Sequence, residues 1–211
     1  MLGVSDLRFR YRRSSEELFG GLSHGFSAGG VSVVSGPSGS GKSTLLYLLG
    51  LLLTPTAGDV SVDNVEAGGL GDGERSALRA RHIGFVFQDA ALDQTRTILD
   101  NVAEGGLYAG MPRGEAERRA RVLLERFGVD LPPERRPGEI SGGQAQRVGL
   151  CRALVKSPSV ILADEPTGNL DAESASVVLR ALWDAAGAGA TVVISTHDQQ
   201  IVAAADDVVA L

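Results

Sequence analysis

Apolar and charged positions alternate near the start of the chain, Leu7, Phe9 and Tyr11 against Arg8, Arg10 and Arg12. That period of two predicts a half-buried strand. After a turn expected at Gly20-Gly21, Leu22, His24 and Phe26 repeat the pattern, and Asp59 to Asp63 repeats it again. These segments predict an antiparallel lobe. Four other segments, Val31 to Ser35, Ile83 to Phe87, Val160 to Ala163 and Thr191 to Ser195, are short, nearly continuous β-branched or aromatic runs. Strands covered on both faces need that composition, and a parallel sheet supplies the environment. The intervening stretches have helical character, as crossover connections require. One predicted helix, Arg113 to Phe127, places Ala116, Ala120, Leu123, Leu124 and Phe127 on one face, with Pro112 at its start and Gly128 beyond its end. Its arginines read as the solvated face. No repeat or long linker interrupts the chain, and Gly68 to Gly73 reads as the loosest loop.

The 211 residues fit one domain, and 5% aromatic content requires a core of Val, Leu, Ile and Ala. A net charge of −6 argues against a nucleic-acid partner. The single cysteine, Cys151, excludes an internal disulfide and points to a reducing compartment; it shares an apolar helix face with Val148 and Leu154 and is expected to pack there. Met1 to Arg13 has no apolar core of a signal peptide. Leu45 to Leu53, the most apolar stretch, is far shorter than the roughly 20 residues of a membrane span. A cytoplasmic protein is expected, with any membrane role exerted through a partner. His24 and His82 lack metal-ligand spacing with each other or with Cys151.

Gly36-Pro37-Ser38-Gly39-Ser40-Gly41-Lys42-Ser43-Thr44 matches G-x-x-x-x-G-K-[ST], between a buried strand and an apolar helix. Glycines let the backbone wrap so that successive N–H groups point at phosphate oxygens, and the following helix start adds partial positive charge. Lys42 would reach the β- and γ-phosphates and the Ser43 hydroxyl would sit on Mg²⁺. Val160 to Ala163 then leads into Asp164-Glu165. Adjacent acids at a strand end point in different directions, so Asp164 can hold a metal through water while Glu165 orients or deprotonates an attacking water. The C-terminal edge of the sheet is where such folds bind ligands.

Ile140-Ser141-Gly142-Gly143-Gln144 opens a helix and resembles the signature sequence of ABC ATPases. The resemblance implies that the signature of one copy closes over ATP held by the phosphate loop of another, in a head-to-tail dimer. It extends along essentially the whole chain. Gln88 is similar to the family's glutamine that touches Mg²⁺ and water, and Asn169-Leu170-Asp171 to the loop that crosses the dimer interface. His197 resembles the switch histidine at the γ-phosphate, and Tyr11 the aromatic residue that stacks on adenine. The implied fold is α/β, a phosphate-loop NTPase of the ABC ATPase type. It has a mostly parallel sheet core, an antiparallel β lobe and a helical signature lobe over about residues 89–157, all in one domain spanning 1–211.

Within the family, Asp164 to Asp171 and Phe85-Val86-Phe87-Gln88 most resemble the branch serving lipoprotein release, macrolide and antimicrobial-peptide export, and the bacterial division ATPase. Val148 to Arg152 and Asp93 to Thr97 depart from that branch's usual residues. The resemblance implies ATP and Mg²⁺ as cofactors and, as partners, a second copy and an integral membrane permease at the inner face of the membrane. The permease is expected to dock near Gln88 to Asn101, where Ala90, Ala91, Leu92, Ile98 and Leu99 would form an apolar surface. Export or release is the leading reading, with mechanical signalling to envelope or division machinery as the alternative. A soluble DNA or ribosome protein fits poorly, since one phosphate loop and no sustained heptads are present.

Overall fold

The computed structural model describes residues 1–12 and 16–211. Arg13, the last residue of the arginine-bearing start, lies outside them. The chain begins with β1 (Leu2–Phe9) and β2 (Leu18–Phe26), and β3 (Val31–Ser35) follows and leads through the glycine-rich loop into α1 (Lys42–Leu49). A hairpin, β4 (Ala57–Val62) and β5 (Val65–Glu66), precedes α2 (Asp72–His82) and β6 (Ile83–Val86). Three helices come next: α3 (Ile98–Tyr108), α4 (Arg113–Arg126) and α5 (Gly142–Leu154). The last part alternates: β7 (Val160–Asp164), α6 (Ala172–Gly187), β8 (Thr191–Ser195), α7 (Gln199–Ala204) and β9 (Asp207–Ala210).

Two sheets form. One is antiparallel, in the order β2-β1-β4-β5, and the other parallel, in the order β6-β7-β8-β3-β9. The inner strands β7 and β8 are buried at every position, and β3 at all but its last, because both faces are covered. Ile161, Ala163, Val192 and Ile194 join the core under α3 to α6, while Val160, Leu162 and Val193 join the core shared with α1 and the antiparallel sheet. The α1 helix lies between the sheets, so Leu45, Leu46, Leu48 and Leu49 are all fully buried. This explains the most apolar stretch of the sequence without a membrane. Among the described residues no helix is long and apolar enough to cross one.

Three expectations for the antiparallel lobe and its surroundings are corrected. Gly20-Gly21 is not a turn between strands; β2 runs through it. Phe19, Gly20 and Gly21 have φ of 74°, 51° and 91°, and the register passes from Leu7↔Leu22 to Phe9↔Leu18, so extra residues of β2 are accommodated in a bulge. Second, β1 starts at Leu2 and stops at Phe9. Its inward parity flips at Asp6 (φ 45°), which puts Leu2 and Val4 on the same core as Leu7 and Phe9 and leaves Tyr11 beyond the strand. Gly58 (φ 78°) allows that bulge, because a Cβ there would lie 2.2 Å from Asp6 O. Third, the expected loose loop ends in helix: the Gly71 N–H donates to Glu74 Oε2 at 2.9 Å and α2 begins at Asp72, so Asp72 and Gly73 are helical.

The predicted helix at 113–127 is α4, with Pro112 capping it and Ala116, Ala120 and Leu124 buried. Cys151 is fully buried, and burial pushes its thiol up to about 12, as its packing role requires.

Candidate functional site

The parallel register sets three chain ends side by side. Asp164 pairs with Ser195, and Ser195 with Val34, so β7, β8 and β3 release their following residues along one C-terminal edge. A cavity of about 650 Å³ opens there. It is lined by the loop residues Gly36, Pro37, Ser38, Gly39, Gly41, Lys42, Ser43 and Thr44, and by Gln88, Glu165 and His197, together with Gly168 and Asn169.

The loop is shaped by its glycines. Gly41 caps α1 in a left-handed conformation (φ 99°), and a Cβ on Gly36 would lie 2.6 Å from Ser40 Oγ and 2.7 Å from Leu211 O. Lys42 Nζ folds back to donate to Gly36 O at 2.9 Å and Pro37 O at 3.1 Å. The Ser40 hydroxyl is buried with no hydrogen-bond partner. An unpaired buried hydroxyl is costly. Ser40 is not among the residues that line the cavity, but the lysine and the helix start that the loop presents suit a polyphosphate. Tyr11 borders this loop: its hydroxyl lies 2.9 Å from Thr44 Oγ1, its ring meets Phe9 edge-on, and it is 47% exposed.

Ser43 Oγ donates to Asp164 Oδ1 at 2.9 Å, and Asp164 is buried to 2% exposure. The Ser195 hydroxyl donates to the same carboxylate oxygen. Sequence reasoning missed Ser195; only the pairing of β7 with β8 brings it there. The donors are oxygens only, a hydroxyl and a carboxylate with the Gln88 amide nearby, which is the chemistry of a Mg²⁺ site completed by phosphate and water. Glu165 leaves the strand in a left-handed conformation (φ 42°), its N–H held by Ser195 O at 3.0 Å. Such backbone persists where its surroundings over-determine it. Glu165 lines the cavity, and its Oε1 lies 3.0 Å from His197 Nδ1.

The signature residues do not line this cavity. Ser141 caps α5: its hydroxyl accepts from Gln144 N at 3.2 Å, and Gln144 Oε1 accepts from Ser141 N at 2.9 Å. Gly142 and Gly143 form the first turn, and a Cβ on Gly143 would lie 2.8 Å from Ser174 Oγ. Asp171 caps α6 and accepts from both Ser174 N and Ser174 Oγ, bonds that hold its carboxyl below the usual range. Signature and Asp171 thus form a second surface, built on the starts of α5 and α6.

The expected apolar docking surface is corrected in part. Ala90 and Ile98 are buried, Leu92 and Leu99 half-buried, and only Ala91 is exposed. These side chains mostly pack the helical lobe. A shallow cavity of about 240 Å³ beside them is lined by Leu52, Phe85, Phe87, Glu104 and Tyr108, among others. Phe85 and Phe87 stack there at 4.3 Å, and Leu52 and Tyr108 are 44% and 69% exposed.

The sequence profile described as "ABC transporter" matches residues 19–168. A lipoprotein-releasing system ATP-binding protein from Paramagnetospirillum magneticum is 42% identical over 202 residues, 95% of this chain and 89% of that protein. A macrolide export ATP-binding/permease protein from Nitrosomonas europaea is 42% identical over 99% of this chain but only 32% of its own length. Among solved structures, a dimeric ATP-binding cassette in a post-hydrolysis state with ADP and Pi superposes with a TM-score of 0.90 at 33% identity, covering 100% of this chain and 94% of that one.

Proposed function

Since the chain belongs to the ABC transporter family and is one of its ATP-hydrolysing subunits, we propose that two copies, docked on a membrane permease, close over two ATP molecules and so power release or export of a substrate. One observation carries the shared-site part of this reading. The phosphate-loop cavity contains the lysine, the metal carboxylate's hydroxyl partner and the acid–histidine pair, while Ser141, Gly142, Gly143 and Gln144 lie outside it with Asp171. A second copy placed head-to-tail would bring that second anion-binding helix start onto the nucleotide.

In this reading Lys42 releases the carbonyls of Gly36 and Pro37 for the β- and γ-phosphates. Tyr11, 47% exposed beside the loop, would stack its ring on adenine. Mg²⁺, held by Ser43 and Gln88 and through water by Asp164, would neutralise charge on the phosphate oxygens. Ser195 fixes the Asp164 carboxylate. Glu165 accepts the proton of the attacking water, and His197 holds Glu165 in line and faces the γ-phosphate.

Permease docking is assigned to the cavity at Leu52, Phe85, Phe87 and Tyr108, one residue from Gln88, rather than to the buried side chains of 90–99. That position would place the protein peripherally on the inner face of the membrane. Single cysteines replacing Leu52 or Tyr108 should crosslink to cytoplasmic loops of the partner permease, with yields that differ between ATP and ADP. Recovery of no integral membrane protein by either cysteine would overturn the motor reading and leave the ATPase intact.

A further inference from the structure

Gln146, Gly149 and Arg152 are spaced three apart on α5 and so share a face. All three meet one short stretch of chain, Phe87 to Ala91, which carries Gln88. Gln146 is buried to 3% exposure, and its Nε2 donates to Phe87 O at 2.9 Å. At Gly149 a Cβ would come within 3.3 Å of Ala90 Cβ, so the helix backbone rests directly on the segment. Arg152 Nη1 donates to Ala91 O at 2.7 Å, its Nη2 donates to Ala90 O, and its guanidinium lies 5.8 Å from the Phe87 ring centroid. Ala90 and Ala91 have φ of 61° and 45°, consecutive left-handed residues that carry a Cβ. That conformation is disfavoured and needs surrounding contacts to hold it. A planar fork on two successive carbonyls supplies them, in a geometry that a lysine's single point charge does not reproduce. Packing alone would be served by an apolar side chain. Instead a guanidinium is desolvated here, its pKa lowered by burial and supported by the charges of Glu104 and Asp89.

We propose that Gln146 and Arg152 are positioning residues for ATP hydrolysis: they fasten the Gln88 segment to the helix that starts at the signature, so that Gln88 and Ser141 move as one body. This rests on the reading of Gln88 as part of the site. Nucleotide-dependent displacement at Gln88 then reaches the signature through α5 rather than along the chain through the segment between Asp93 and Thr97.

The test is a double-mutant cycle on steady-state hydrolysis with Gln88→Ala, Arg152→Met and the double variant, with thermal unfolding and affinity for a fluorescent ATP analogue measured for each. Arg152→Met should lower kcat about tenfold. Analogue affinity should stay within about twofold. Arg152→Lys should recover part of the loss. In the Gln88→Ala background Arg152→Met should cost nothing further, because the residue acts through Gln88. Additive losses, or a fall in analogue affinity as large as the fall in kcat, would overturn the latch alone. Wild-type turnover by Gln88→Ala would overturn the assignment of Gln88 and the latch with it. Should Arg152→Met not fold, Gln146→Met, which removes one donor at similar volume, enters the same cycle with the same criteria.

Discussion

Glu165→Gln separates chemistry from binding at this site. The residue sits one position past the end of β7, with φ 42° and its N–H pinned to Ser195 O. Its side chain is 16% exposed, and Oε1 lies 3.0 Å from His197 Nδ1. An amide of the same shape can still accept from His197 and still point at a water. It cannot take a proton. General-base catalysis is worth about 10²–10⁴ in rate. At 1.36 kcal/mol per decade this raises the barrier by about 3–5 kcal/mol. Binding should not change, because in the proposed reading the phosphates are held by Lys42, Ser43 and the loop N–H groups and not by Glu165. Phosphate release measured at saturating MgATP should therefore fall by at least about 100-fold. Equilibrium affinity for a fluorescent ATP analogue should hold, and gel filtration with MgATP should show an accumulating dimer. Turnover near the wild-type rate would place the base elsewhere; a parallel collapse in affinity would make Glu165 a structural residue.

Lys42→Ala removes the one ammonium in the cradle, now bonded to Gly36 O and Pro37 O, and analogue affinity should fall about 100-fold, as loss of charge-assisted bonds implies; unchanged affinity would mean the phosphates bind elsewhere. Lys156 donates to Arg79 O and Ala80 O at the end of α2, yet burial, reinforced by the Arg79 charge, lowers its pKa from 10.5 to about 8. Between those values the unfolded chain keeps a proton that the folded chain has lost. Stability therefore rises with pH across that window, and is lost again as pH falls through the folded value. Chemical denaturation of wild type and Lys156→Met at pH 7.5, 9 and about 10.5 should show wild type gaining on the variant as pH rises; a constant difference would refute the buried-ammonium account.

Much of this was legible in the sequence, for identifiable reasons. The β3 and β8 strands fall on the residues that the apolar runs mark, Val31–Ser35 and Thr191–Ser195, because strands buried on both faces are built mainly from β-branched apolar residues and admit only small hydroxyl side chains between them. The glycine-rich loop and the Asp164-Glu165 pair follow from local chemistry at strand ends. What was not legible is non-local or breaks a period. The Asp6 bulge flips the parity of β1 and hides Leu2 and Val4 from an alternation count. The β9 strand lies at a sheet edge and buries only Val209, too little for a pattern. Ser195 reaches Asp164 solely through strand register. Gln146 and Arg152 bond to backbone carbonyls far away in the chain, contacts that no side-chain pattern encodes.

The shared site is the central claim, and subunit complementation tests it most directly. Lys42→Ala disables one phosphate loop, and Ser141→Arg blocks one signature while leaving that chain's own cradle intact. Each variant alone should be inactive. In a head-to-tail heterodimer one site collects both defects and the other has none. Random pairing of equal amounts should therefore restore about a quarter of the wild-type hydrolysis rate, with each intact site working independently in a two-fold assembly. Rescue of that size, rising and falling with the mixing ratio, is the predicted result. No rescue at any ratio, with both variants folded and Ser141→Arg still binding the ATP analogue, would contradict it.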